Sequence, residues 1–376
     1  MKRLLATALC AVTTLAGSYT HAAQPVSEAK KAELRTVAMN PKLTKDERIA
    51  AIKGMYPEML NEDGTIPARR ICVWDIAGKN GPIYNAAVDQ TAELLRWGVQ
   101  VELDAYTSES VLTEELKAGM CDAALFTGLR ARLFNKYTGT IDAIGAVPSR
   151  DHMKLLMTAI TSPKMSDRMT EGQYVVMGYA PMGAAFIFVN DREINTLAKA
   201  AGKRVAVLDY DLVQAEMVSQ IGANPVPTAL VNAGTKFNNK IVDVLAAPLA
   251  AYSIMELYKG LGDNGGIVDY PFSQITLQLV GRADKFPAEL AQLVREDFLT
   301  RFETIEKLVK AQEGDIPQQY WIDIPPEDKA EYQVMMQEAR LQLRARDYYD
   351  AEMLKLQRKV RCKFEPTHFE CANPVE

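Results

Sequence analysis

The sequence predicts an α/β fold: two lobes of mainly parallel strands with helical crossovers, plus added helices at both ends. Three observations carry this. From residue 70, apolar strand-like runs alternate with helical runs, and the alternation begins again after residue 180. That order is what parallel strands joined by crossovers require. With a leader set aside, about 350 residues remain, more than one compact core usually holds, so two lobes are expected.

The elements follow in order. Lys2 and Arg3, the apolar "LLATALCAVTTLAG" and the small residues of "THAA" read as a secretory signal over residues 1–23, cleaved near Ala22 or Ala23. Its apolar core is too short for a permanent membrane helix. Residues 24–66 are charged and helix-prone, an N-terminal extension packed on the surface. "RICVWDIA" is a buried-strand run, and the loop Gly78 to Gly81 feeds a helix over 82–97. "VQVELDAY" alternates as a strand. "SVLTEELKAG" starts a helix after Ser108 or Ser110 and stops it at Gly119, and "CDAALFTG" is an apolar strand.

The second set runs "GAAFIFVN" (strand), "DREINTLAKAAG" (helix), "KRVAVLD" (strand), "LVQAEMVSQIG" (helix) and "KIVDVLAAP" (helix end and strand). "AAYSIMELYKGL" reads as a helix and "QITLQLVG" as a strand. A long helix with Pro287 near its start follows. Residues 325–360 read as one or two long charged helices.

Composition narrows the function. Loss of Lys2 and Arg3 takes the formal charge from −5 to −7, the wrong sign for a nucleic-acid partner. The mature chain holds no second apolar stretch near ~20 residues and so no transmembrane helix is expected. Cys72, Cys121, Cys362 and Cys371 make an even set, which in an oxidising compartment suggests two disulfides. Three pairings are possible. Cys72–Cys121 is favoured because both lie near starts of strand-like runs, and Cys362–Cys371 because they are close in sequence. Zinc is the rival, but the mature chain has only His152 and His368 and no C-x-x-C pair.

Motifs for chemistry are scarce. "GLGDNG" (Gly260 to Gly265) has dinucleotide-loop spacing but follows a helix rather than a strand, so it reads as a helix cap and turn. Phosphate-loop, H-E-x-x-H and G-x-S-x-G patterns are absent. His152 and His368 read as surface or packing residues. The "YYDAEM" and "VMMQEA" stripes read as packed faces. No catalytic residue, metal or cofactor is expected.

"ELKAGMCDAALFTG", "FIFVNDREINTLAKAAGKRVAVLD", "IGANPVPTALVNAGTKFNNKIVDVLAAPLAAY" and "QITLQLVGRADKFPAELAQLVREDF" occur in an order that resembles the solute-binding proteins of tripartite ATP-independent periplasmic (TRAP) transporters over roughly residues 70–310. The N-terminal extension and cysteine-bearing tail look closer to the AdeT-type subgroup. The resemblance implies a two-lobed, type II periplasmic-binding-protein fold. Lobe 1 would span 67–183 with a return segment at about 267–280, and lobe 2 184–266 with 281–325. Residues 326–376 would form C-terminal helices and the tail. It also implies a periplasmic receptor that delivers a small organic molecule to membrane permease subunits. Names of some AdeT-type proteins imply an alternative, an accessory of a multidrug efflux complex; an enzyme on the same fold is a third class.

Two departures bear on the solute. The family's carboxylate-clamping arginine falls at Ala206 here, with Arg204 two residues earlier on the same strand face, and its asparagine falls at Ala247. A larger, more apolar or cationic solute is therefore expected. Ligands in such sheets sit at the carboxyl ends of the strands, and closure about crossover strands near Ala184–Asn190 and Gln274–Gly281 would trap the solute. The expected contacts are Trp74 and Tyr210 as apolar walls, Asp75 and Asp209 as acceptors, and Lys79, Asn80, Thr127, Arg130 and a shifted Arg204 as polar contacts. Asp75 is expected to serve binding rather than stability.

Overall fold

The computed structural model describes residues 26–314 and 316–376; the leader read at 1–23 lies outside them. Ten strands are present among the described residues: β1 Ile66–Trp74, β2 Val99–Tyr106, β3 Ala123–Thr127, β4 Thr170–Glu171, β5 Tyr174–Val189, β6 Arg204–Leu208, β7 Asn224–Thr228, β8 Val244–Pro248, β9 Gly266–Arg282 and β10 Trp321–Ile322. They form one path, β2-β1-β3-β9-β5-β8-β6-β7, with β10 on β9 and β4 on β5.

β1, β2 and β3 pair in parallel, as do β6, β7 and β8. Between these two groups run β5 and β9, antiparallel to each other. The carboxyl half of β9 pairs with β3, and the carboxyl half of β5 pairs with β8. Each long strand thus belongs to both lobes. Their mutual register slips at Val176/Gly178, Pro181/Gly183 and Ala185/Ile187, and Gly183 adopts a φ of +97°. Bulges bend and loosen a ladder, so the strands are most deformable where they cross from lobe to lobe.

The larger core sits in lobe 1 around Val73, Phe126, Ile141, Leu156 and Val176, and the helices from both ends of the chain add Ile52, Met336 and Leu354 to it. The smaller core, around Phe188, Phe237, Leu245 and Ile267, sits in lobe 2.

Most elements follow the sequence. Pro82 opens the helix Pro82–Arg96, Ser108 caps Glu109–Ala118, and Gly119 ends it in a left-handed turn. Gly262, at φ +53°, ends the helix within "GLGDNG". Both favoured disulfides form, with Cα separations of 5.9 Å for Cys72–Cys121 and 5.6 Å for Cys362–Cys371. Two expected helices are each broken in two. Residues 251–261 split into Ala251–Ile254 and Tyr258–Leu261 because Glu256 takes a φ of +52°. The long helix after Pro287 splits into Ala288–Thr300 and Phe302–Glu313, where the Thr300 hydroxyl donates to the Asp297 carbonyl and competes with the helical ladder. The charged C-terminal run forms two helices, Pro326–Ala345 and Ala351–Phe364.

Candidate functional site

The carboxyl ends of β1, β2, β3 and β6 carry the loops of interest. After β1, Asp75 is 1 % exposed. One of its oxygens accepts from the Ala77 N–H at 2.9 Å; the other accepts from Ile83 N–H at 2.7 Å and Tyr84 N–H at 3.0 Å. Gly81, the residue before the helix, has no side chain to cap it, and Asp75 reaches across the loop to do so, placing a negative charge at the helix N-terminus. The expectation of a solute acceptor is corrected here. Asp75 is committed to backbone, and the N–H groups that could have held a phosphate are taken. Trp74 is buried in the lobe 1 core, its indole N–H without a hydrogen-bond partner. Lys79 and Asn80 are exposed on the loop.

At the end of β3, the Thr127 hydroxyl accepts from the Arg130 N–H at 3.3 Å, and the Thr127 N–H donates to Glu109 Oε1 at 2.6 Å. The second Glu109 oxygen is buried without a partner. Burial pushes this carboxyl above the ordinary range, against the pull of the Thr127 hydrogen bonds and the Arg130 charge.

Arg130 is 6 % exposed, its Nε has no hydrogen-bond partner, and no carboxylate stands within 4.0 Å of it among the described residues. Its guanidinium lies 3.5 Å from the ring centroid of Tyr210, which follows β6 in lobe 2. The Tyr210 hydroxyl is also buried and unpartnered, and burial pushes it well above a phenol's usual range. Beside this stack, Arg132 of lobe 1 lies 3.8 Å from Asp211 of lobe 2. Asp209 is exposed next to Tyr210. The fold thus brings Thr127, Arg130 and Tyr210 together at the lobe junction, with a cation over an aromatic face as one contact between lobes.

Arg204 is a correction. It opens β6, at the opposite end of the strand from Tyr210, and is exposed. Its Nε and Nη2 bind the Asp243 carboxylate at 3.0 and 2.7 Å. Burial raises that carboxyl, but hydrogen bonds from Arg204 and Asn190 outweigh it and hold it at about 2. Arg204 therefore ties strand ends together and cannot stand in for a clamp. Ala206 packs on the lobe 2 core and Ala247 is buried within it, so neither offers a polar contact.

Sequence reasoning missed Glu109 and Arg132. An acid in the first turn of a helix reads as ordinary dipole compensation. Only the fold reveals that this one points under β3.

A family model described as "Solute-binding protein AdeT 1/2" matches residues 83–376. The chain belongs to the AdeT-type solute-binding protein family. This AdeT-type protein is 43% identical over 303 residues to "Probable solute-binding protein AdeT1" of Acinetobacter baumannii, covering 80% of this chain and 99% of that one. It is 26% identical over 233 residues to "Probable solute-binding protein AdeT2" of the same organism, covering 62% and 98%. Its fold is that of the two-lobed TRAP periplasmic solute-binding proteins. One from Desulfovibrio salexigens with bound orotic acid superposes with a TM-score of 0.62 at 14% identity, over 79% of this chain and 99% of that one. Another, from Xanthobacter autotrophicus with bound β-D-galacturonate, gives 0.62 at 16% over 78% and 99%. No helix of this AdeT-type protein, among the described residues, is long and apolar enough to cross a membrane.

Proposed function

We propose that this AdeT-type solute-binding protein is a periplasmic receptor that encloses a small organic acid between its lobes and hands it unchanged to a membrane permease, after export by the leader at residues 1–23. One observation carries the choice of solute: among the described residues, Arg130 is a buried cation without a carboxylate partner. A buried unpaired charge is costly, and a guanidinium under an aromatic ring is well suited to a carboxylate. Loss of the family's arginine at Ala206 had favoured a non-anionic solute. Arg130 supports the reverse reading, in which the cation is contributed by lobe 1 instead of lobe 2. Glu109 stands beside this cation, and burial pushes its carboxyl above the ordinary range. Tyr210 supplies an apolar wall and, among the described residues, an unpartnered O–H. The related TRAP structures carry orotic acid, galacturonate and succinate, all organic acids.

The test is calorimetric titration of the purified mature protein with orotate, galacturonate, succinate and a matched set of organic amines. At least one carboxylate should bind, and Arg130→Met should weaken it ~100-fold, within the about 2–5 kcal/mol cost of truncating one partner of a buried charge pair. Tight binding of amines with none of the acids would sink the reading. Recovery of chemically altered solute after long incubation would point to an enzyme instead.

A further inference from the structure

The C-terminal helices Pro326–Ala345 and Ala351–Phe364 meet at a five-residue turn, Arg346 to Asp350, and this turn lies on the lobe junction. The contacts of its first four residues alternate between the lobes. Arg346 pairs with Glu216 of lobe 2, Asp347 with Lys136 of lobe 1, and the Tyr348 hydroxyl donates to the Asp211 carboxylate of lobe 2. The Tyr349 hydroxyl accepts from the Ile144 N–H of lobe 1 at 3.3 Å, and the Asp350 N–H donates to Thr140 of lobe 1 at 2.9 Å. Tyr348 does more than bond Asp211. Its ring lies 3.9 Å from the Arg132 guanidinium, so one side chain touches an arginine of lobe 1 and an aspartate of lobe 2 at once. Those two residues stand immediately beside the Arg130–Tyr210 stack.

The base of the turn is fixed. Arg340 and Arg361, on the two helices, donate to the carbonyls of Ile144 and Ala146 in lobe 1 and share the carboxylates of Glu370 and Glu376. All four charged side chains are buried. The helices are therefore anchored to lobe 1 beside the turn, while at the start of the first helix the Tyr332 hydroxyl donates to the Asn195 carbonyl of lobe 2 at 2.9 Å. Any separation of the lobes must break the contacts of Arg346 and Tyr348 to lobe 2.

We infer that the turn is a clasp, with Tyr348 as the positioning residue that holds the solute site shut. The inference rests on the lobe junction being the solute site, and it adds a control on opening contributed from outside both lobes. The test reads opening directly. Spin labels are placed at Ser110 and Asn232, both exposed and at the cleft ends of their lobes, and interlobe distances are measured by pulsed electron resonance with no solute added. The unaltered protein should show one short-distance population. Tyr348→Phe, which removes only the hydroxyl, should add a longer-distance population with little change in melting temperature. Arg346→Ala together with Tyr348→Phe should make the longer population dominant. Identical distance distributions in all three proteins would overturn the clasp. Because no solute is present, that result is separate from whether the site takes a carboxylate.

Discussion

A Cβ built on Gly81 would stand 1.8 Å from Oδ1 of Asp75. The loop after β1 is closed around this pair: the glycine has no side chain because the aspartate, six residues earlier, occupies the space while it caps the helix. Gly81→Ala should therefore destabilise the protein by about 1–3 kcal/mol through overpacking. Asp75→Ala should cost at least as much, since three backbone N–H groups lose their acceptor. Urea unfolding measures both; an Asp75→Ala protein of unchanged stability would contradict the capping role.

Arg204→Ala should leave solute affinity untouched. It removes an exposed ion pair far along β6 from Tyr210, and such pairs contribute ~1 kcal/mol or less. Loss of binding with retained stability would return Arg204 to the site.

Asp142 sets a pH dependence. It is fully buried where the chain meets β9, and accepts from Thr276 N–H at 3.1 Å and the Thr276 hydroxyl at 2.6 Å. Burial outweighs these bonds and pushes its carboxyl from 3.8 up to about 7. The folded state then keeps a proton that the unfolded chain releases, so stability falls as pH rises from about 4 to about 7. Asp142→Asn should remove this fall. Melting temperatures of both proteins across that window should diverge as pH rises; parallel curves would refute the assignment.

Arg340→Met should cost roughly 3–5 kcal/mol, because Glu370 and Glu376 would be left buried with Arg361 as their remaining arginine. Replacing a member of the pair by a residue of similar shape tests the charge rather than the packing. Chemical denaturation of this variant should also show whether the C-terminal helices detach first.

What the sequence could reveal follows from which forces are local. Helix caps at Ser108 and Gly119, the turn at Gly262 and the strand runs depend on neighbouring residues, and they were legible. The two helix breaks were not. One needs Thr300 to turn back on Asp297, and the other needs a left-handed glutamate. Strand ends pointed to Thr127, Arg130 and Tyr210, which the fold brings together at the lobe junction. The roles of Asp75 and Arg204 depend on where Ile83, Tyr84 and Asp243 arrive in space, which no periodicity encodes. Tyr348 read as packing because its partners lie more than a hundred residues away.

The long strands bear on how the chain folds. β3 has β1 on one edge, but its other neighbour is the far half of β9: Thr127 faces Leu277 and Ala123 faces Gly281. As the polypeptide is made, that edge of lobe 1 stays open until lobe 2 has been completed. Non-local pairing of this kind slows folding, and an open edge invites strand addition from another chain. Premature termination within lobe 2 should thus yield an aggregating fragment, not a stable half-protein.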